Sequence, residues 1–77
     1  MKATVLVRPK DGILDPQGRA VTDSLQQLGF AVTDARVGRV IDVELSDEEN
    51  ARAELERMCE QLLANPLIES YEIELSR

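Results

Sequence analysis

KDGILDPQGRA, residues 10–20, joins a predicted strand to a predicted helix. Asp15 and Pro16 predict the start of that helix, because an aspartate at this position accepts hydrogen bonds from unpaired amides and a proline in the first turn loses no needed donor. By themselves these two residues are explained by local structure. The whole string of residues 10–20 is a far more specific sequence feature than an Asp-Pro helix start.

Regular patterns extend to both sides of this stretch. Residues 2–9 alternate as a strand with apolar side chains on both faces, which predicts a central position in a sheet. Pro9 ends the pairing because it has no amide hydrogen. Residues 16–28 predict an amphipathic helix, and Gly29 provides its C-terminal cap. The apolar stripe of this helix consists of Val21, Leu25 and Leu28.

The second half of the chain predicts two more strands before the next helix. Residues 30–37 alternate loosely, Gly38-Arg39 offers a tight turn, and residues 40–45 alternate strictly, which together predict a β-hairpin. A last strand near the C-terminus has one half-buried face. Its inward side chains are Tyr71, Ile73 and Leu75.

The second helix is predicted between these strands. Ser46 or Asp47, followed by Glu48 and Glu49, places carboxylates where the positive end of a helix dipole favours them. The helix runs to about Ala64, and Asn65-Pro66 ends it. Its buried face is expected to carry Leu55, Met58, Cys59, Leu62 and Leu63.

The predicted order β-α-β-β-α-β makes residues 1–77 a single domain of the α+β class. This is the order of the ferredoxin-like sandwich, in which two helices cover one face of a four-stranded antiparallel sheet. A chain this short hides only about 60% of the surface that its unfolded form exposes. We therefore expect the protein to associate with itself or with partners.

Composition excludes several classes of function. The net charge of −6 argues against nucleic-acid and membrane-surface partners, which call for a basic face. No apolar run reaches the roughly 20 residues of a membrane span, and a single cysteine forms no internal disulfide. These features predict a cytoplasmic protein. The absence of histidine removes Ser-His and Cys-His catalysis and imidazole metal sites.

No catalytic, cofactor or metal-binding residue is predicted on this chain. Cys59 is the one strong nucleophile, but its position on the apolar stripe favours a packing role. Asp47, Glu48 and Glu49 are adjacent, so they surround a helix start instead of converging on a cation. The glycines match neither a dinucleotide fingerprint nor a phosphate-binding loop.

Five cations are expected near one end of the sheet, where the first strand, the first helix and the hairpin meet. Two interpretations are open: the cluster binds a phosphate or an acidic patch on a partner, or its members are separate solvated charges, which is the favoured reading. The five are Arg8, Lys10, Arg19, Arg36 and Arg39.

Three parts of the sequence resemble the PurS family: VLVRPKDGILDPQGRA (residues 5–20), LGF (28–30) with RVGR (36–39), and MCEQLLANPLIE (58–69). The pair DPQG and LANPLIE, at this separation, is the specific part of the resemblance, which covers almost the whole chain. The family often has Gly-Lys where this chain has Gly38-Arg39, so the positive charge is kept.

The resemblance implies a small accessory subunit of phosphoribosylformylglycinamidine (FGAM) synthase, the fourth step of de novo purine biosynthesis. That complex converts formylglycinamide ribonucleotide, glutamine, ATP and water to formylglycinamidine ribonucleotide, glutamate, ADP and phosphate. It implies that a glutaminase subunit releases ammonia, that a synthetase subunit uses ATP and magnesium, and that the PurS-like subunit joins them. It also implies a homodimer or higher homo-oligomer.

Two alternatives of other classes remain. Ferredoxin-like modules often bind small molecules at dimer interfaces, so a regulatory sensing domain is the second hypothesis; it rests on fold analogy alone. An independent enzyme is the least favoured, because only scattered carboxylates could perform acid-base chemistry. Under the first hypothesis the expected partner-interface residues are Lys10, Asp11, Gly12, Asp15, Gln17, Gly18, Arg39, Asn65 and Pro66.

Overall fold

The computed structural model describes residues 1–46 and 49–76, and it has the predicted α+β class. The strands are β1 (Lys2–Pro9), β2 (Arg39–Glu44) and β3 (Glu69–Ser76). The helices are α1 (Pro16–Gln27) and α2 (Ala51–Met58), and a π-helical segment (Cys59–Leu63) continues α2.

The sheet is antiparallel with β1 at its centre, in the order β2-β1-β3. Val5 of β1 lies opposite Ile41 of β2 and Ile73 of β3, so the apolar side chains of all three strands share one face. The prediction that β1 is a central strand is confirmed. Its side chains on the shared face are buried almost completely, as expected for a strand with a neighbour on each side.

The predicted four-stranded sheet is wrong: within the described residues the sheet has three strands. Residues 30–37 form no strand, and β2 begins at Arg39, so Gly38-Arg39 is not a hairpin turn. The backbone of this segment instead bonds side chains near α1: the Val37 N–H donates to Asp15 and the Val32 carbonyl accepts from Gln26. Gly38 also passes so close to β1 that a Cβ there would meet the Val7 carbonyl oxygen.

Helix α2 and the π-helical segment cover the apolar face of the sheet. Leu55 and Cys59 are fully buried, as predicted, and they form the core with the inward residues of β1. Leu62, predicted on the buried face, is 82% exposed. The reason is the change of helix type: the Ala64 N–H bonds the carbonyl five residues back, at Cys59, so the wider turn rotates Leu62 away from the core.

The second helix starts later than predicted. Its cap is Asn50 and its first residue is Ala51, whereas the sequence placed the start at Ser46 or Asp47. Asp47 and Glu48 lie outside the described residues, and Glu49 lies in a turn before the helix. The first described carboxylate inside the opening turn of α2 is that of Glu54.

Helix α1 forms as predicted, but most of its apolar stripe is exposed; only Leu25 is half-buried. Within α1 only Gly18 and Thr22 are buried, whereas Val21 and the capping residue Leu28 are exposed. The molecule is correspondingly long, 49 × 26 × 13 Å, with a radius of gyration of 15.6 Å. A compact chain of this length has a radius of gyration of about 11–12 Å. The sheet and α2 thus form a small core from which α1 extends.

Candidate functional site

Asp15 joins the start of α1 to the segment that leads into β2. One carboxylate oxygen accepts the Gly18 N–H at 3.0 Å, which is the predicted helix cap, and the other accepts the Val37 N–H at 2.9 Å. The bond from Val37, followed by that from Gly18, lowers the pKa of the Asp15 carboxyl. Asp15 therefore has a structural role: it links the start of α1 to the segment before β2.

Lys10 ties the end of β1 to the loop before β3. Its backbone N–H donates to the Ile68 carbonyl at 2.9 Å, and its ammonium donates to the Pro66 carbonyl at 2.7 Å. Two segments predicted as interface candidates, the loop after β1 and Asn65-Pro66, thus lie side by side. Lys10 and Pro66 are both exposed at their junction.

Arg39 links β2 to the same loop. Its guanidinium donates to both carboxylate oxygens of Glu69, at 2.8 and 3.1 Å, and to the Leu63 carbonyl at 2.7 Å. Glu69 also accepts the Asn65 N–H at 2.8 Å. The Arg39 guanidinium, then the Asn65 amide, lowers the pKa of the Glu69 carboxyl. Arg39 therefore holds the fold together at this point.

Of the remaining predicted interface residues, Asn65, Gly12 and Gly18 have local structural roles, whereas Gln17 is a surface residue. The Asn65 side chain accepts the Leu67 N–H at 3.1 Å, which forms a local turn. Gly12 has φ +82°, the left-handed conformation that favours glycine. Gly18 is buried against the Ala35 carbonyl oxygen. Gln17 is exposed on the first turn of α1, beside a crevice of about 230 Å³.

Asp11, in the loop after β1, and Arg36, in the segment before β2, bond each other and form a wall on the surface between these two parts of the chain. The Arg36 guanidinium donates to the Asp11 carboxylate at 2.7 Å and to the Lys10 carbonyl at 2.6 Å. This places residues 34–38 beside the loop after β1. The Asp11 side chain is otherwise fully exposed.

An open groove of about 740 Å³ runs from this wall onto the face of the sheet opposite α2. We call it the outer-face groove; its lining includes Leu6, Arg8, Lys10, Asp11, Arg36 and Val40. Arg39 also borders it, but its guanidinium bonds Glu69 and the Leu63 carbonyl on the α2 side of the sheet, so three of the five cations grouped by sequence meet here. Arg19 lies elsewhere, 3.9 Å from Asp23 on α1. Val40 is a lining residue that the sequence analysis missed, although its alternation with Asp42 and Glu44 placed it on the outward face.

A family model for PurS, described as phosphoribosylformylglycinamidine (FGAM) synthase, matches residues 2–77. The chain belongs to the PurS family. It is the family of a subunit of FGAM synthase, an enzyme of purine biosynthesis.

Relatives and solved structures of PurS match along nearly the whole chain. The FGAM synthase subunit PurS of Methanocaldococcus jannaschii is 42% identical over 79 residues, which cover 99% of this chain and 95% of the relative. The Bacillus subtilis PurS structure has a TM-score of 0.90 at 35% identity, covering 99% of this chain and 98% of that one. A chain in the structure of PurLQS from Thermotoga maritima has a TM-score of 0.78 at 32% identity, covering 95% and 93%.

The described part of this PurS chain offers little for catalysis. Cys59 is buried, and its burial, followed by the Glu60 and Glu56 carboxylates, raises the pKa of the thiol. The Tyr71 hydroxyl donates to the Glu60 carboxylate at 3.0 Å, which raises the pKa of the phenol. Among residues 1–46 and 49–76, no three acidic, cysteine or histidine side chains converge as metal ligands, and no helix is long and apolar enough to cross a membrane.

Proposed function

We propose that this PurS protein is the non-catalytic accessory subunit of FGAM synthase that bridges the glutaminase and synthetase subunits and aids the transfer of ammonia between them. The observation that carries the proposal is the match to the family over residues 2–77. In this role ATP and magnesium belong to the synthetase subunit, and the complex works in the cytoplasm.

The arrangement of the loops supports a bridging role. Residues 10–18, Arg39 and Asn65-Pro66 are far apart in sequence, yet hydrogen bonds from Lys10 and Arg39 gather them at one end of the sheet. Exposed residues of this end, such as Lys10, Asp11, Gln17 and Pro66, are available for contact with a larger subunit. Similarity to a chain in the PurLQS structure of Thermotoga maritima agrees with such contact.

The exposed stripe of α1 supports association of two or more copies. The arm, by which we mean α1 and residues 28–30 after it, extends from the core. Leu28 is 73% exposed and Phe30 is 59% exposed, and both lie on this arm. Residues 30–37, which have a strand-like sequence, also lie outside the sheet. We propose that a second copy covers this arm, because exposed apolar side chains are stabilised when another chain packs on them.

The test is reconstitution of the reaction from the two larger subunits with and without this protein. We expect glutamine-dependent formation of formylglycinamidine ribonucleotide to require it, and synthesis driven by added ammonium salts to depend on it much less. Equal glutamine-dependent rates in its presence and absence would show that the proposal is wrong. The family match does not favour the alternative of a small-molecule-sensing domain.

A further inference from the structure

We propose that the outer-face groove docks an acidic polypeptide segment with an apolar anchor, supplied by one of the two larger subunits. The proposal rests on the proposed function, because it takes those subunits as the partners. It adds the surface of contact and the chemistry of the segment that fits it.

The floor of the groove is apolar, in contrast to the rest of that face. Leu6 and Val40 lie directly opposite each other on β1 and β2, and Val40 is 63% exposed. The neighbouring outward residues of the same strands are polar, namely Thr4 and Asp42, which hydrogen-bond each other at 3.0 Å. This apolar pair, in which Val40 is exposed and Leu6 is half-buried, provides a place within a polar face for one apolar side chain of a partner.

The rim of the groove is positively charged in a protein of net charge −6. Three cations, Arg8, Lys10 and Arg36, and one carboxylate, that of Asp11, line it. Arg36 bonds both the Asp11 carboxylate and the Lys10 carbonyl and forms the wall, whereas Arg8 is 63% exposed and lies 3.5 Å from Glu72 in a surface ion pair. Surface ion pairs are worth about 0–1 kcal/mol, so Arg8 can exchange Glu72 for a carboxylate of a partner at little cost.

Lys10 is the second cation available to a partner. Its ammonium bonds the Pro66 carbonyl, and within the described residues it pairs with no carboxylate. A lysine ammonium has three donors, so it can keep this bond and donate to a carboxylate as well. Arg8 and Lys10 together therefore favour a segment with at least two acidic side chains.

The acidic end of the same face fixes the position of such a segment. Asp42, Glu44 and Glu74 point outward beyond the groove, toward the start of β1. They repel an acidic partner from that end and leave the cationic end as the place where it binds. When complementary charges are limited to one part of a surface, they fix the position at which a partner binds along that surface.

The open form of the groove favours a polypeptide over a small anion. Sites for small molecules usually bury about 70–90% of the ligand surface, which requires walls on most sides. Here the sheet forms a floor, and the Asp11–Arg36 pair forms a wall at one end. A segment of a protein that is anchored elsewhere on the subunit needs no such enclosure.

The test compares the double variant Arg8→Glu/Lys10→Glu and the variant Val40→Asp with a matched control, Lys2→Glu. The Lys2→Glu substitution reverses one positive charge at the other end of β1, where Lys2 forms an exposed pair with Glu44 at 4.0 Å. The affinity for the synthetase and the glutaminase subunits is measured separately by calorimetry at low and moderate salt, and circular dichroism checks that each variant is folded.

We expect the double variant and Val40→Asp to raise the Kd for one larger subunit by about tenfold or more, and Lys2→Glu to change it by less than about threefold. The double variant should also weaken the dependence of binding on salt. If the folded variants bind both subunits like wild type while wild type still stimulates the glutamine reaction, the docking proposal is wrong and the proposed function stands.

Three other outcomes overturn the proposal in distinguishable ways. If wild type neither binds the larger subunits nor stimulates the glutamine reaction, the proposed function fails with it. A loss of self-association alone, measured by light scattering, would show that the groove receives a second copy. Calorimetric binding of inorganic phosphate or ATP that the double variant abolishes, with subunit binding unchanged, would show that it is a small-anion site.

Discussion

Asp15 is a single carboxylate that holds two separate pieces of backbone, the start of α1 and the segment before β2. Its hydrogen bonds are made best by the ionised form, which is why the pKa of Asp15 lies below its ordinary value of 3.8. A carboxyl whose pKa is lowered by folding stabilises the fold fully above its unfolded pKa. That stabilisation is lost as the pH falls through the lower, folded value.

Acid titration tests the role of Asp15. We expect the melting temperature of wild type to fall as the pH drops below 3.8, and Asp15→Asn to melt lower at neutral pH with a shallower fall in acid. The matched control is Asp23→Asn, an exposed position on the same helix. Identical pH profiles for wild type and Asp15→Asn, measured by circular dichroism, would contradict this role.

Cys59 provides a second test at this scale. The thiol is fully buried and burial raises its pKa, so we expect it to react with a thiol reagent only as fast as the protein opens. Replacement by serine places a hydroxyl in the same apolar position and should cost about 1–3 kcal/mol in unfolding free energy. Rapid labelling of folded protein at pH 8 would show that the side chain is accessible.

The sequence predicts the local role of these residues but not their distant contacts. The Asp15 cap follows from the adjacent pair Asp15 and Pro16, and the burial of Cys59 follows from its position on a helical stripe. The bond from Val37 to Asp15 joins residues 22 positions apart, and no local pattern indicates it. Arg39 was predicted as a turn and interface residue, whereas its side-chain pair with Glu69 depends on how β2 and β3 lie on the two sides of β1.

At the scale of elements, α1 is positioned by the backbone of residues 34–38. Gly18 lies on the first turn of the helix, where a Cβ would meet the Ala35 carbonyl oxygen and the Asp15 carboxylate. Alanine is usually better than glycine inside a helix by about 1 kcal/mol. Here the close approach of the two backbones reverses that preference.

Gly18→Ala tests this contact between elements. We expect it to lower the unfolding free energy by about 1–3 kcal/mol, because the helix and the segment must move apart. Ser24→Ala, at an exposed position of the same helix, should be neutral or slightly stabilising. A stabilising effect of Gly18→Ala in urea denaturation would show that the contact is loose.

The elements that the sequence predicted wrongly have physical reasons of their own. Residues 30–37 alternate only loosely, and the close passage of Gly38 over Val7 leads the chain into β2 without a hairpin. The π-helical turn after Met58 has no signature in the residue types, so Leu62 was assigned to the wrong face. Strand β1 was predicted well because its alternating residues end at Pro9, and β3 was predicted well because Tyr71, Ile73 and Leu75 alternate strictly with polar residues.

At the scale of the whole molecule, the chain has a small core and a long arm. The core lies between the sheet and α2, and the arm carries α1 with its apolar stripe toward solvent. The sequence predicts the stripe from its spacing, but the sheet and α2 pack on each other and leave most of it exposed. An amphipathic helix without a partner element in its own chain is stabilised when another chain supplies that partner.

Leu28→Glu tests whether a second copy covers the arm. Leu28 is 73% exposed in one chain, so its replacement should cost little stability within a single copy and should weaken association strongly. Gln27→Glu is the matched control: it adds the same charge beside Leu28, also at the C-terminal end of α1, without removing an apolar side chain.

We expect light scattering to give the mass of an oligomer for wild type and Gln27→Glu and the mass of a monomer for Leu28→Glu at the same concentration. The melting temperature of wild type should also rise with protein concentration, because only the oligomer has the arm covered, whereas that of Leu28→Glu should not. A wild type that stays monomeric at about 100 μM, well above a typical micromolar Kd, would show that the arm is covered by a larger subunit instead of a second copy.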